Sequence, residues 1–334
     1  MTTIGASLWG IILAGGEGVR LKQFVREQVG TDAPKQFCAF VGKRTMLERT
    51  VRRARLLIPP QQLVVSGTAH HRPYLFQSLG NTPPGSVLLQ PANRDTAPGI
   101  LFPLIHILKS APRALVAIFP SDHFVLPGRR LMHAVSHAAA YLRRTNSDSP
   151  ILLAAEASYP ETEYGWVAPG VSVSSEEAGS IFRVKQFAEK PQYHDAITML
   201  RERWLWNTMV IVARGASLLQ CFRSALPELV ACFEILQRSI GTRAEQTVTD
   251  EVYRVIPSLN FSAAVLAHQP DHLLVSPIRQ MQWSDWGNKE RITQTLASLR
   301  YAARPTLAPS AGFYLPAAAF PGRREVADIT AETT

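Results

Sequence analysis

Short apolar runs alternate along the chain with stretches whose apolar positions recur every three to four residues. The runs "LWGIILA", "QLVVSG", "VLLQP", "ALVAIFPSDH" and "ILLAAEA" predict buried β-strands. Between them lie helical patterns. "TMLERTVRRARLLI" places Leu47, Val51, Ala54 and Ile58 on one stripe. "TAPGILFPLIHIL" is apolar throughout, with Thr96 expected at its N-cap, and "GRRLMHAVSHAAAYLRR" leads into the last strand. Strands separated by helices predict an α/β fold with a doubly wound, mainly parallel sheet. In such sheets the ligand lies beyond the carboxyl ends of the strands.

The pattern changes after about Tyr159. "EYGWVAPG", "FRVKQFAEKP" and "WNTMVIVA" are strand-like and interrupted by Gly and Pro. They predict an inserted antiparallel portion that covers the sheet edge and forms a second wall of the site. "PELVACFEILQRSI" is helical, with Pro227 in its first turn. The expected organisation is one domain over residues 1–301, then an Ala/Pro-rich tail, residues 302–334, extended or disordered and without a core of its own.

Composition narrows the class. The formal net charge of +9 attracts polyanions, whether nucleic acid, acidic membrane or phosphorylated small molecules. The arginines Arg49, Arg52, Arg53 and Arg55 lie opposite a core stripe, without interleaved aromatic residues. They read as a solvated face, so neither nucleic acid nor membrane is expected as a partner. The three cysteines, Cys38, Cys221 and Cys232, form no CxxC pair and point to a reducing compartment. The run from Leu8 to Leu13 is too short for a signal core or a membrane span, so a cytoplasmic location is expected.

Candidate chemistry gathers where strands end. In "WGIILAGGEGVRL", Gly15, Gly16 and Gly18 leave backbone N–H groups open to close approach by phosphate, and Arg20 follows with a guanidinium fork. The stretch is neither GxGxxG nor a P-loop, and a tight turn with one surface arginine fits it equally well. Lys35 sits in "APKQF", which a plain surface loop also explains. Asp122 ends an apolar strand in "FPSDH", as either a turn residue or a Mg²⁺ ligand. Asp285 in "QWSDWG" lies between tryptophans, whose low-dielectric surround favours pairing a carboxylate with a cation. Glu163, Glu189 and Asn207 offer hydrogen bonds to sugar hydroxyls, and Lys190 a second phosphate contact; neighbouring Glu and Lys residues are also common on solvated faces.

Taken in order, "LAGGEGVRL", "PKQF", "QPANRDTAPGI", "FPSDH", "EYGWV", "AEKP", "WN" and "WSDWG" resemble the sugar-1-phosphate nucleotidyltransferases. Within that family the chain is similar to the mannose-1-phosphate guanylyltransferases, from about Trp9 to Gly287. The resemblance implies a nucleotide-binding sheet of the glycosyltransferase-A kind and the reaction of a nucleoside triphosphate, GTP, with a sugar 1-phosphate, mannose 1-phosphate. It implies Mg²⁺ held by Asp122 and Asp285. The triphosphate would lie on Leu13, Ala14, Gly15, Gly16, Gly18 and Arg20, with Lys35 near the phosphates. Gln90 and the segment from Arg94 to Thr96 would face the base. Glu163, Gly165, Glu189 and Asn207 would line the sugar pocket, and Lys190 would hold the sugar phosphate. A homodimer is the expected assembly. The same transfer with another base or sugar, and a non-catalytic nucleotide-binding regulator, are the alternatives.

The chain departs from the family pattern at several places. The stretch "LKQFVREQVGTDA" is longer than usual. Asp95 stands where the family often has Asn, Met209 where it usually has Gly, and Asn260 where Asp is common.

Overall fold

A computed structural model describes residues 7–80, 83–176 and 179–302. Beyond Ala302, the expected tail lies outside the described residues. Four strands form a parallel half-sheet in the order β3-β2-β1-β4: β1 Leu8–Leu13, β2 Leu63–Thr68, β3 Ser86–Gln90 and β4 Leu115–Pro120. Their carboxyl ends therefore share one edge. β5 Phe124–Leu126 follows β4 at once, and β6 Ile151–Glu156 lies further into the sheet. The long hairpin β7 Gly165–Glu176 and β8 Gly179–Glu189 is antiparallel. β9 Leu205–Arg214 and β10 Leu274–Ile278 complete a nine-stranded mixed sheet, and β11 Gln282–Ser284 pairs with β5 outside it.

Helices cover both faces, as the alternation of strands and helices predicts. α1 Lys22–Val29, α2 Met46–Ala54 and α3 Arg72–Leu79 share one face with α5 Gly128–Thr145. α4 Thr96–Ser110 covers the other, together with α7 Gly215–Ala225, α8 Pro227–Ser239 and α9 Glu245–Val255. α6 Tyr193–Arg201 follows the hairpin, α10 Phe261–Ala264 precedes β10, and α11 Lys289–Ala302 follows β11. Strand side chains alternate between the two cores: Ile12, Leu115, Ala117 and Phe119 join one, and Ile11, Val116 and Ile118 the other. The helical stripe Leu47, Val51, Ala54 and Ile58 is fully buried. Thr45 caps α2 by accepting from Glu48 N at 3.1 Å.

Two expectations are corrected. "WNTMVIVA" does not belong to an edge insertion. It forms β9, which lies in the middle of the sheet, antiparallel to both β4 and β6. Its apolar run is buried on both sides, as a central strand requires. β7 also pairs with β9, Trp166 opposite Trp206, so this half of the sheet curls back on itself. The N-cap of α4 is Asp95, not Thr96: Asp95 Oδ1 accepts from Thr96 N at 2.6 Å, while Thr96 Oγ1 accepts from Phe261 N at 2.8 Å.

Half of the basic α2 face is structural. Arg49 donates to the Val41 carbonyl and Arg53 to Thr50 Oγ1, while Arg52 and Arg55 are exposed. Among the described residues, no helix is long and apolar enough to cross a membrane. Cys38, Cys221 and Cys232 are free thiols.

Candidate active site

The parallel strands end at a cleft of about 700 Å³. Leu13, Gly15, Gly16, Gln90, Thr96 and Asp122 line it, six of the residues singled out from sequence. Ala14 is buried behind the loop, its N–H on Ser66 O at 2.7 Å. Gln36, in "PKQF", braces the glycine loop by donating to the carbonyls of Ala14 (3.2 Å) and Gly16 (2.7 Å). Gly18 has φ 64°, and a Cβ there would lie 3.2 Å from Pro34 Cα, so both conformation and space demand glycine. The loop and the lysine segment thus fit each other closely.

Gln90 is buried at the end of β3 within a directed chain of hydrogen bonds. Tyr253 OH donates to Gln90 Oε1 at 3.1 Å, Gln90 Nε2 to Ser66 Oγ at 3.2 Å, and Ser66 Oγ to Gly99 O at 3.1 Å. The chain fixes which end of the Gln90 amide is which. Burial pushes the Tyr253 phenol well up, so it stays a donor. Arg94 does not line the cleft; its guanidinium donates to Tyr253 O at 3.0 and 2.8 Å. Asp95 and Thr96 carry that segment's exposure to the cleft.

Asp122 and Asp285 meet because β5 and β11 pair. Ser284 stands opposite Phe124, so one further residue along each strand places Asp285 beside His123 and hence next to Asp122. Lys35 joins them. Its Nζ lies 3.1 Å from Asp122 Oδ2 and donates to the carbonyls of Asp285 (2.5 Å) and Trp286 (3.1 Å). Burial pushes the Asp122 carboxyl up, but Lys35 and His123 pull it below the usual carboxylate value. Asp285 behaves alike: burial raises it, and Lys35, Arg291 and His123 outweigh burial. Both are held ionised.

Asp285 Oδ1 accepts three hydrogen bonds, from Arg291 Nη1 (2.7 Å), Gly287 N (2.8 Å) and Tyr164 OH (3.0 Å). Those donors orient the carboxylate, and all three of these hydrogen bonds fall on Oδ1 rather than Oδ2. Arg291 is itself buried. It also reaches Glu161 at 2.8 Å and Glu163 at 2.9 Å, and its guanidinium lies 4.5 Å over the Tyr164 ring. Burial works against its charge, but Asp285, Tyr164 and Glu161 keep it protonated. Sequence reasoning missed Arg291, Glu161, Tyr164 and Gln36. Two of them stood within quoted stretches. For Arg291 no local signal existed, because only the fold brings it to Glu161 and Glu163.

The sugar-pocket set divides. Gly165 and Glu189 pair across β7 and β8, and a Cβ on Gly165 would lie 2.8 Å from Glu189 Oε2 and 3.2 Å from Asn207 Cβ. Glycine is therefore required for the three to meet. Glu189 Oε2 is buried without a hydrogen-bond partner, and burial raises its carboxyl pKa although Lys190 opposes this. A buried carboxylate oxygen without a donor fits a ligand hydroxyl. Asn207 is occupied internally, donating to Ser262 Oγ at 3.3 Å and accepting from Met209 N at 3.1 Å. Lys190 is exposed at the hairpin end with φ 49°. Glu163 faces Arg291 and, at 3.4 Å, Arg20. Arg20 is 72% exposed and points to Glu163 rather than into the cleft.

Four non-glycine residues around the site have positive φ: Asp95, Lys190, Met209 and Trp286. Met209, at φ 58°, sits where β9 bulges against β6 and lines the cleft. Strain of this sort collects at functional sites.

The nucleotidyl transferase family profile matches residues 9–300. The chain is 27% identical over 283 residues to a mannose-1-phosphate guanylyltransferase of Salmonella muenchen, covering 83% of this chain and 57% of that protein. It is 28% identical over 282 residues to the xanthan biosynthesis protein XanB of Xanthomonas campestris, covering 83% of this chain and 57% of that one. It thus spans a little over half the length of these curated relatives. A crystal structure described as a mannose-1-phosphate geranyltransferase from Thermus thermophilus superposes with a TM-score of 0.71 at 26% identity, covering 86% of this chain and 79% of that one. With the profile matched along most of its length, the chain belongs to the nucleotidyl transferase family.

Proposed function

We propose that this chain transfers a guanylyl group from GTP to mannose 1-phosphate, giving GDP-mannose and pyrophosphate. The observation that carries the reading is the convergence of Asp122 and Asp285 on Lys35 at the carboxyl edge of the parallel strands, beside the glycine loop. The names of the relatives support the choice of base and sugar.

The residues suit Mg²⁺. Two ionised carboxylates offer hard oxygen donors, and Asp285 Oδ1 is already saturated, which leaves Oδ2 for a cation. Asp122 and Asp285 would hold the ion. Bound there, Mg²⁺ supplies positive charge that lowers the repulsion between triphosphate and incoming phosphate.

The chain's own residues do the rest. The backbone of Gly15 and Gly16 faces the cleft and offers N–H donors to phosphate oxygens. Gln36 keeps that loop in shape. Lys35 brings a buried ammonium to the carboxylates and to the place where phosphates gather. Gln90, locked by Tyr253 and Ser66, presents a fixed amide to the base. Glu189 receives a sugar hydroxyl. The nucleophile is a phosphate oxygen already ionised at neutral pH, so no general base is required. The reaction is in-line attack on the α-phosphorus, promoted by alignment and charge neutralisation. Arg20 and Lys190, exposed at the rim, approach phosphates only once substrate is bound. The substrates are small molecules, and nucleic acid has no part.

The test is pyrophosphate release with Mg²⁺, crossing five nucleoside triphosphates with several sugar 1-phosphates. A preference for GTP with mannose 1-phosphate is the expected result. Another preferred pair would overturn the specificity, and silence across the grid would overturn the enzymatic reading.

A further inference from the structure

Beside the glycine loop, and apart from the two aspartates, lies a second group of ligand atoms. Glu17 belongs to the loop, while His70 and His71 follow β2 directly. Glu17 Oε2 lies 2.9 Å from His70 Nε2 and 3.6 Å from His71 Nε2, and the three ligand atoms all fall within 4.8 Å of one another. In a tetrahedral zinc site with bonds of about 2.0–2.1 Å, ligand atoms stand about 3.3 Å apart, a value that the two measured separations bracket.

The orienting contact is also built. Thr68 Oγ1, fully buried at the end of β2, lies 2.8 Å from His71 Nδ1. With the proton on Nδ1 donated to that hydroxyl, the Nε2 lone pair of His71 faces Glu17. Metal-binding histidines are commonly held in this way by their second nitrogen. His71 is itself buried and meets Phe37 of the "PKQF" segment edge-on, with ring centroids 5.8 Å apart. The His70 and His71 rings lie 3.9 Å apart. Two imidazoles and one carboxylate are the donor set of a borderline transition metal rather than of Mg²⁺.

We propose that Glu17, His70 and His71 form a binding site for a transition-metal ion, Zn²⁺ foremost, which clasps the glycine loop to the end of β2. The ion ties the loop after β1 to the turn after the neighbouring strand β2. It also neutralises Glu17, a carboxylate that lines the cleft proposed to receive a triphosphate.

The experiment uses the full chain, free of affinity tag, stripped with chelator and without nucleotide. Co²⁺ is titrated while its visible d–d absorption is followed, and Zn²⁺ is titrated by calorimetry. The expected result is one ion per chain, Co²⁺ displaced by Zn²⁺ but not by excess Mg²⁺, with affinity reduced at least about 10-fold in His70→Ala and in Glu17→Gln. His194→Ala, which removes an exposed imidazole elsewhere, should bind like the wild type. Hydrogen exchange over residues 14–20 should slow with Zn²⁺ in the wild type and not in His70→Ala. Wild-type affinity in both His70→Ala and Glu17→Gln would overturn the proposal, as would an absence of binding in the wild type. Binding without slower exchange in the loop would overturn the clasp.

Discussion

Asn260 Nδ2 donates to Oδ1 of Asp95, a residue that lines the cleft, at 3.4 Å. Asn260 Oδ1 meanwhile caps α10 by accepting from Ala263 N at 3.1 Å. In the family pattern these two positions often carry Asn and Asp in the opposite order. The two departures are therefore one exchange, which keeps an amide against a carboxylate. Asn260→Asp alone sets two carboxylates together and is expected to destabilise the fold. Adding Asp95→Asn should restore it, with a coupling of about 1 kcal/mol in a double-mutant cycle. Denaturant unfolding of the four proteins measures it, and strictly additive effects would contradict the exchange.

Arg291 sits under three carboxylates with little exposure. Arg291→Met leaves Asp285, Glu161 and Glu163 facing one another without a cation. The expected loss is about 3–5 kcal/mol of unfolding free energy. Arg291→Lys should recover only part, because a single ammonium cannot reproduce the fork that reaches Asp285 through one nitrogen and the glutamates through the other. Chemical denaturation checks both variants, and an unchanged midpoint in Arg291→Met would contradict the assignment.

Met209 occupies a left-handed backbone position, φ 58°, a conformation that suits the glycine of the family pattern. Met209→Gly and Met209→Ala remove the same packing, but only glycine removes the strain. The glycine variant is therefore expected to be more stable than the alanine variant by about 1 kcal/mol, the reverse of the usual order within a strand. Thermal unfolding of the pair decides. Met209 also lines the cleft, so both variants should widen it and raise activity with bulkier substrates.

Glu245 ties α9 to its neighbours, accepting from Gly241 N at 2.7 Å and lying 3.0 Å from His106 Nε2 on α4. Burial pushes its carboxyl up, but the Gly241 N–H and His106 hold it below the usual 4.5. The unfolded chain thus takes up this proton more readily than the folded one. The Glu245 contribution is complete above that ordinary value and is lost as pH falls from it through the lower folded value. Glu245→Gln should flatten the stability curve in that acid window, read from denaturant unfolding against pH. Parallel curves would contradict the assignment.

Much of this architecture was legible in the sequence because apolar periodicity reports burial directly. Ile11, Ile12 and the run from Leu115 to Phe119 alternate between cores as strands must, and the α2 stripe packs as its spacing implies. The same signal misplaced β9, because periodicity reports that a strand is buried without saying which strands flank it. At the site, residues bound to a strand end were legible: the glycine loop, Gln90 and Asp122 all reach one cleft. Groups whose role depends on distant chain were not. Arg291 joins nearby Asp285 to Glu161 and Glu163 from a remote stretch, and Gln36 acts through carbonyls that carry no sequence signature. Arg20 and Arg94 show the converse. Neither lines the cleft: one pairs with Glu163 and the other with the Tyr253 carbonyl, contacts that carry no signature in the sequence.

The most direct measurement is the rate of pyrophosphate release from GTP and mannose 1-phosphate, with Mg²⁺, by Asp122→Asn and Asp285→Asn beside the wild type. Each substitution keeps the side chain's shape and removes one ionised oxygen. If the two carboxylates stabilise the reacting charges together with their metal, each variant loses about 10²-fold or more in rate while remaining folded. Full wild-type rates in both would contradict the account.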